Sequence, residues 1–404
     1  MNAFYEYRKT IIHLSKHCGR ANGNVHVAVD LACEQARAGH SVYFCSGGGT
    51  FVELLESEGV RHVMLPQDQK KPFAMLRSAV ALTRLCRAIR ADIIHAHMMG
   101  GALIGAIASR LASVPLVTTV HNSFDRHSIL MRMGGRIVAV SEAERQALVK
   151  RGFPPERTRV VWNAPVGSAR HDMVSMKGDA GIVPTLRHPN ITLICGLHAR
   201  KGVADVIEAA SHLLPSMPEW TVYIAGEGPD RADLEARVAA CGLSERVIFL
   251  GYVDTPQLLY SQADIFVLAS YADPGSLTIG EARAAGCAIV ATSVGGTTEM
   301  LEFGAAGRLV PPGQPGILAQ ALGEIMRDPD QREAMRQAAR RGAEIFDAKR
   351  LVPDYMNIYE EIIVRRRAGQ GSSRGSSRGV LVSEHDAAVS PRSASGQQGD
   401  ACLR

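Results

Sequence analysis

The 404-residue chain is 46% hydrophobic and 21% charged, with a net charge of only +5. This composition is typical of a globular protein, and the length leaves room for two or three domains. The small charge and the aromatic content of 5% argue against nucleic-acid binding, so we expect no nucleic-acid partner.

The cysteines and the N-terminal sequence indicate a reducing compartment. The eight cysteines form no Cys-x-x-Cys pair, and several lie in apolar runs such as "VYFCS", where buried free thiols are common. The first residues lack the apolar stretch of a signal peptide. The most apolar window, residues 100–120, is interrupted by Arg110 and Pro115, which favours a buried helix followed by a buried strand. We therefore expect a cytoplasmic protein.

Short β-branched runs alternate with helical patterns along most of the chain. The candidate strands are "KTIIHLS", "SVYFCS", "VRHVMLP", "ADIIHAH", "PLVTTVH" and "RIVAVS", and then "ITLICGL", "WTVYIAGEG", "RVIFLG", "DIFVLAS", "CAIVATS" and "GRLVPPG". Such alternation predicts parallel sheets with helices on both faces. The predicted fold class is therefore α/β, with two doubly wound, Rossmann-like halves in tandem that face each other across a ligand cleft.

Changes in pattern predict the domain boundaries. Residues 1–165 form the first Rossmann-like domain, and the Gly- and Pro-containing stretch 166–190 is the linker. The second domain spans residues 191–345, and a final helix spans 346–366. The Ser-, Gly- and Arg-rich residues 367–404 cannot bury enough apolar surface to become ordered, so we expect a disordered tail.

Two loops of the second half follow predicted strands and open helices. In "GLHARKG", Arg200 and Lys201 come before a helix, where they would face a bound diphosphate or simply form a solvated basic loop. In "IAGEGPD", Gly226 and Gly228 permit a close backbone approach, although a plain turn is the favoured interpretation of this motif alone. Because the Gly-x-Gly-x-x-Gly fingerprint is incomplete, a nicotinamide cofactor and an oxidoreductase are disfavoured.

The stretch "YADPGSLTIGEARAAG" carries two carboxylates eight positions apart, Asp273 and Glu281. One interpretation is structural: a loop precedes a helix with Ser276 as its N-cap, and Glu281 lies near Arg283 on that helix. The other is functional, because the first amides of the helix, from Leu277 and Thr278, would point at an anion. The two carboxylates would then bracket a nucleotide sugar.

Polar groups also follow strands in the first half. The loop "RANGNVHVAV" contains Gly23 and Asn24 and could cradle a phosphate or a sugar, or be a turn with Asn24 as N-cap. His95 and His97 share a strand face, which permits a metal site but favours structural packing. His121 follows a buried strand at the position of the cleft, where packing and function remain alternatives.

Together these motifs resemble glycosyltransferase family 4, retaining enzymes with the GT-B fold, over roughly residues 10–364. The likenesses occur in the order of the family: "ADIIHAH", "LVTTVHN", "IVAVSEAE", "VVWNAP", "GLHARKG", "IAGEGPDRADLE", "VIFLGYVD", "ADIFVLAS", "GEARAAGCAIVAT" and "VGGTTEML". Asp273 and Glu281 have the spacing of its Glu-x7-Glu motif. Three features depart from the family. The family has Glu at the position of Asp273 and Arg at that of Leu197, and its "GGAE"-like N-terminal loop reads "NGNVH" here.

The resemblance implies roles for the site residues. Glu281 would bind the ribose, and Asp273 and His121 would contact the donor sugar. Arg200 and Lys201 would neutralise the diphosphate, with Asp273, Glu281, His121 and Lys201 forming the catalytic set. The remaining donor-binding candidates are Gly23, Asn24, Gly226, Gly228, Gly275, Ser276, Leu277 and Thr278.

The implied activity is retaining, metal-independent transfer of a hexosyl group, with no cofactor. The first domain would bind the acceptor and the second the nucleotide sugar, and the last helix would return to the first domain. We expect a nucleotide-diphosphate sugar donor, UDP-sugar in preference to GDP-sugar, and a saccharide or lipid-linked acceptor in polysaccharide or lipopolysaccharide assembly. Peripheral contact with the inner face of the membrane is left open. The alternatives are a GT-B nucleotide-sugar epimerase and an inactive, nucleotide-sugar-binding regulatory protein.

Overall fold

The computed structural model describes residues 8–20, 22–67, 72–171, 184–214, 217 and 219–375. Two parallel sheets in this part of the chain confirm the predicted α/β class and its two doubly wound halves. Strand residues are buried along most of their length because helices cover both faces of each sheet.

Each predicted strand is present, and one strand was not predicted. The first sheet contains β1 (Thr10–Leu14), β2 (Ser41–Ser46), β3 (Arg61–Met64), β4 (Ile93–Ala96), β5 (Leu116–Val120), β6 (Arg136–Ala139) and β7 (Thr158–Val160), and the second contains β8 (Asn190–Ile194), β9 (Thr221–Ala225), β10 (Val247–Gly251), β11 (Ile265–Leu268), β12 (Ala288–Thr292) and β13 (Arg308–Val310). The unpredicted strand, β7, is a three-residue edge strand that follows two prolines.

The order of the strands determines where a ligand can bind. The first sheet runs β3-β2-β1-β4-β5-β6-β7 and the second runs β10-β9-β8-β11-β12-β13. In each sheet the order reverses beside the first strand, between β1 and β4 and between β8 and β11. Doubly wound sheets bind ligands in the crevice outside the carboxyl ends of the strands at this point.

Helices connect the strands in both halves. Those with bounds in the described residues are α1 (Gly23–Arg37), α2 (Val52–Ser57), α3 (Pro72–Ala88), α4 (Met99–Ala112), α5 (Glu142–Lys150), α6 (Val203–Leu213), α7 (Arg231–Ala240), α8 (Pro256–Tyr260), α9 (Leu277–Ala285), α10 (Gly295–Met300), α11 (Pro315–Arg327), α12 (Pro329–Arg340) and α13 (Leu351–Gly375). The apolar window at residues 100–120 is the predicted helix and strand, α4 and β5.

The N-cap of α1 corrects one prediction. Asn22, not Asn24, is the N-cap, and its Oδ1 accepts a hydrogen bond from the backbone N–H of Asn24 at 3.1 Å. The helix therefore begins at Gly23, one residue before the proposed cap.

The final helix, α13, covers the first sheet. Between Leu351 and Ile363 its apolar side chains join a buried cluster with Ile11, Ile93 and Val117. The helix extends to Gly375, so the predicted start of a disordered tail at residue 367 is wrong for its first residues. The rest of that tail, 376–404, and the middle of the predicted linker, 172–183, lie outside the described residues.

In the described part of the chain, every cysteine is a free thiol. The same residues contain no helix that is both long enough and apolar enough to cross a bilayer.

Candidate active site

A cavity of about 530 Å³ lies between the two halves, at the carboxyl ends of their strands. It is bordered by the loops that follow β1, β5, β8, β9 and β11. The predicted site residues that line it are Gly23, Asn24, His121, Arg200, Lys201, Gly226, Asp273, Gly275, Ser276, Leu277, Thr278 and Glu281. Gly228 is the exception among the predicted residues.

Both glycines of the loop after β9 are required by backbone packing. Gly226 has φ +139°, and a Cβ there would lie 1.9 Å from the carbonyl oxygen of Cys195. A Cβ on Gly228 would lie 2.1 Å from the carbonyl oxygen of Leu197. Gly228 thus lets two loops of the second half touch, while only Gly226 reaches the cavity surface.

Lys201 and Asp273 form an ion pair at the cavity wall. The Lys201 Nζ lies 2.6 Å from Asp273 Oδ2, and the other carboxylate oxygen accepts from the backbone N–H of Gly275 at 3.3 Å. Asp273 is only 5% exposed, so water screens this pair weakly. The sequence predicted both residues for the site but not their contact.

Arg200 borders the cavity from a short 3₁₀ turn, Ala199–Lys201, that precedes α6. The N-cap of α6 is Gly202, so both basic residues lie just before the helix. The Arg200 guanidinium stacks 5.6 Å from the ring centre of Phe124, which belongs to the first half. This contact spans the cleft at the end where the basic groups lie.

The N-terminus of α9 opens onto the cavity. Ser276 is its N-cap, as predicted, but its hydroxyl lies 2.9 Å from Thr278 Oγ1 and makes no capping hydrogen bond among the described residues. The amides of the first turn therefore have no side-chain cap there. Such amides, with the positive end of the helix dipole, favour an anion.

Glu281 lies one turn further along α9, where a tyrosine hydroxyl holds its carboxylate and a histidine ring lies nearby. The Tyr260 hydroxyl donates to Glu281 Oε2 at 2.8 Å, and His171 Nε2 lies 3.6 Å from Oε1, beyond hydrogen-bond distance. Burial first, and then the Glu281 carboxylate, raise the pKa of Tyr260 well above its ordinary value. Tyr260 thus remains a donor that fixes the carboxylate.

Arg283 is not a surface partner of Glu281. It is fully buried and donates to the carbonyl oxygens of Ala339, Met300 and Arg341, at 3.0, 2.7 and 2.5 Å. Residues two positions apart on a helix point in different directions. The structural interpretation of the motif is therefore wrong about this pair.

Some cavity residues were missed by the sequence analysis. Arg170 makes a bidentate pair with the buried Asp30, at 2.7 and 2.8 Å, and lies in the stretch interpreted as a linker. Asn163 donates to the carbonyl oxygen of Gly275 at 2.7 Å and so joins the two halves. No periodic pattern marks these residues. The polarity of Asn163 within the apolar run "VVWNAPV" could have indicated it, whereas Arg170 lies among other polar residues.

His95 in β4 and His97 just after it are buried and hydrogen-bonded to other side chains. His95 contacts Tyr359 and Thr119, each at 2.7 Å, and His97 contacts His13 at 2.9 Å. The nitrogens of His13, His95 and His97 lie within 4.8 Å of one another, but these hydrogen bonds already use both nitrogens of His95. The trio is therefore better suited to hydrogen bonding than to holding a metal.

Two parallel-sheet halves with a polar cleft at their strand ends are the architecture of the GT-B fold. Two family models match the chain: Glycosyltransferase Family 4 over residues 21–164 and Glycosyl transferases group 1 over residues 188–342. The chain belongs to the glycosyltransferases of the family 4 type, which confirms the resemblance read from the sequence, and it transfers a sugar from a nucleotide sugar.

Similar proteins agree with this assignment. The 2-deoxystreptamine glucosyltransferase of Streptomyces kanamyceticus is 28% identical over 62% of this chain and 73% of its own length. The N-acetyl-alpha-D-glucosaminyl L-malate synthase of Bacillus anthracis is 25% identical over 83% of this chain and 93% of its own. The crystal structure of Anabaena Alr3699/HepE with UDP and glucose matches in fold, with a TM-score of 0.73, 21% identity and coverage of 87% of this chain and 99% of that one.

Proposed function

We propose that this chain is a retaining, metal-independent glycosyltransferase that moves a hexosyl group from a UDP-sugar to a saccharide or lipid-linked acceptor. The observation that carries the proposal is the Lys201–Asp273 pair beside the N-terminus of α9, which lacks a side-chain cap among the described residues. This combination supplies positive charge for a diphosphate and a carboxylate for a sugar at one wall of the cleft.

The donor is proposed to lie along this wall. Its ribose would bind Glu281, whose carboxylate is already held by Tyr260. Its phosphates would face the first amides of α9 together with Arg200 and Lys201. Its sugar would extend toward Asp273 and His121. The UDP in the Anabaena structure supports the choice of UDP.

The reaction exchanges one bond at the anomeric carbon. The acceptor hydroxyl oxygen forms a bond to this carbon as the bond to the β-phosphate oxygen breaks. The proton of the hydroxyl passes to the leaving diphosphate on the same face, so configuration is retained. Lys201, Arg200 and the α9 amides stabilise the negative charge that develops on the leaving group, in place of a metal ion.

Exchanging the two carboxylates for amides should separate their roles. Glu281→Gln should weaken UDP binding by about 1.5–3 kcal/mol, the scale of a hydrogen bond to a charged group, or about 10- to 150-fold. Asp273→Asn should not weaken UDP binding, because UDP lacks the transferred sugar that Asp273 is proposed to contact, and Lys201 becomes free to bind its phosphates. It should instead slow sugar transfer. Titration calorimetry with UDP and kinetics with the intact donor measure the two effects.

Glu235→Gln is the matched control, since Glu235 is exposed on α7 and does not line the cavity. It should change neither measurement. Equal weakening of UDP binding by both site variants would contradict the proposed orientation. Binding of nucleotide sugars without transfer to any acceptor would favour the regulatory protein instead.

We further propose that the protein acts in the cytoplasm, at the inner face of the membrane, in polysaccharide or lipopolysaccharide assembly. The exposed face of α3 supports this location. Phe73 is 83% exposed, and Leu76 and Val80 are also exposed beside Arg77 and Arg84. Because α3 contains no acidic residue, it combines the apolar and basic groups that bind an anionic lipid surface.

The membrane proposal predicts binding to anionic vesicles. The protein should sediment with phosphatidylglycerol-containing vesicles and much less with vesicles of phosphatidylcholine alone. The double change Phe73→Ser and Arg77→Glu should release it, because it removes an apolar anchor and a basic contact. Phe303→Ser is the control, since Phe303 is 78% exposed in the second half. Equal loss with both variants, or equal binding to both vesicles, would contradict the role of α3.

A further inference from the structure

Four buried side chains form a continuous line from the interior of the first half to the cleft. Gln35 Oε1 lies 2.8 Å from His13 Nε2, and His13 Nδ1 lies 2.9 Å from His97 Nε2. His97 Nδ1 lies 3.3 Å from His121 Nε2. The line therefore links α1 to the loop after β5 through the histidines of β1 and of the residue just after β4.

Burial favours the neutral form of each histidine in this line. Burial lowers the pKa of His13 to about 4, despite the hydrogen bond from its ring to Gln35, and it lowers the pKa of His121 to about 4. Burial, followed by the neighbouring histidines, also lowers the pKa of His97 well below its ordinary value. A neutral imidazole has one N–H, which donates, and one nitrogen without a proton, which accepts. In a line of such rings, each ring donates to one neighbour and accepts from the other, so the direction of donation is the same along the whole line.

Gln35 sets that direction. Its amide nitrogen donates to the Tyr359 hydroxyl at 3.3 Å, which leaves its oxygen to accept from His13 Nε2–H. His13 Nδ1 is then bare and accepts from His97 Nε2–H, and His97 Nδ1 accepts from His121 Nε2–H. The last ring nitrogen of the line, His121 Nδ1, then carries no proton and has a lone pair that can accept a hydrogen bond.

Within the described part of the protein, His121 Nδ1 has no partner, and its residue borders the cleft. His121 is 7% exposed, and its Nδ1 has no hydrogen-bond partner among the described residues. The residue borders both the cleft and a second cavity of about 370 Å³ in the first half. The opposite direction of donation would leave a buried N–H unpaired, and among backbone groups such orphan donors are rarer than under-satisfied acceptors.

We propose that Gln35, His13 and His97 are positioning residues that fix the tautomer of His121, so that its Nδ1 accepts a hydrogen bond from a sugar hydroxyl where the two cavities meet. The inference rests on the proposed function. A neutral nitrogen without a proton accepts from a hydroxyl but repels the oxygens of a carboxylate or phosphate. The position therefore selects a sugar that presents an uncharged hydroxyl there, and disfavours the corresponding uronate or deoxy sugar.

Nitrogen NMR of the full chain tests the tautomer without any substrate. In protein labelled with ¹⁵N-histidine, the signals that disappear in His121→Gln belong to His121. We expect a protonated Nε2 and a bare Nδ1. A protonated Nδ1 in the wild-type protein overturns the proposal, whatever the activity.

Gln35→Met tests the origin of the tautomer, because methionine fills similar space but has neither the amide oxygen that accepts from His13 nor the amide nitrogen that donates to Tyr359. We expect a mixture of His121 tautomers and a fall in turnover of UDP-glucose of about 2- to 12-fold, the scale of one neutral hydrogen bond, with UDP affinity unchanged. His62→Gln is the control, because His62 bonds Ser46 at 2.9 Å outside this line. It should alter neither quantity.

The outcomes separate this inference from the proposed function. An unchanged tautomer in Gln35→Met overturns the role of Gln35. A mixed tautomer with unchanged turnover overturns the positioning role. The expected tautomer in a wild-type protein that binds neither UDP nor UDP-glucose counts against the proposed function itself.

Discussion

A chain that ends after Arg350 should fail to fold its first half, because it lacks the helix that covers the centre of one face of the seven-stranded sheet. The side chains that α13 contributes to the shared cluster are Leu351, Val352, Tyr355, Met356, Ile358, Tyr359, Ile362 and Ile363. Burying each such side chain contributes about 1.5–3 kcal/mol, whereas a whole domain is stable by only about 5–15 kcal/mol. Circular dichroism and thermal melting should show the loss of a cooperative transition.

A chain that ends after Gly375 is the matched control, because it keeps all of α13. It should melt close to the full chain. A cooperative melt of similar midpoint in the chain that ends after Arg350 would show that the first sheet does not need this helix.

Lys201→Ala should abolish most transfer. Losing a charge-assisted contact to the leaving diphosphate should raise the barrier by about 2–4 kcal/mol, which slows turnover about 30- to 900-fold. The variant should also lose stability, because Asp273 is 5% exposed and would remain without its cationic partner. Steady-state kinetics and thermal melting separate the two losses.

The double variant Lys201→Ala with Asp273→Asn distinguishes a catalytic role from a structural one. It should recover stability, since no unpaired carboxylate remains, but it should not recover turnover. Lys150→Ala is the control, because Lys150 is exposed at the end of α5 and does not line the cavity. Near-normal turnover of Lys201→Ala would contradict the phosphate role.

The strands and most of the cleft were predictable from local sequence. Buried parallel strands are short, apolar and β-branched, and polar loops that follow them must meet at one edge of each sheet. This rule alone predicts that the loops in "GLHARKG" and "YADPGSLTIGEARAAG" lie at the wall of the cavity. Strand β7 escaped prediction because a three-residue edge strand carries too little pattern.

The partners of the polar side chains were not predictable in this way. Tyr260 lies 21 positions from Glu281, and Asp30 lies 140 positions from Arg170. Such pairs depend on the packing of whole elements, which periodicity does not specify. The contact between Lys201 and Asp273 was also not predictable. The resemblance assigned Lys201 to the diphosphate and Asp273 to the sugar of the donor.

The hydrogen bonds of the last helix have a consequence for synthesis. His95 and Thr119 are buried in the half that leaves the ribosome first, yet they bond Tyr359 and Tyr355, which are translated after the entire second half. Domains usually complete their folding in the order of their synthesis. The first half therefore cannot complete its folding, and part of one face of its sheet stays uncovered, until residue 363 has emerged. The second half, although translated later, has all the strands of its own sheet before then and is the first that can finish folding.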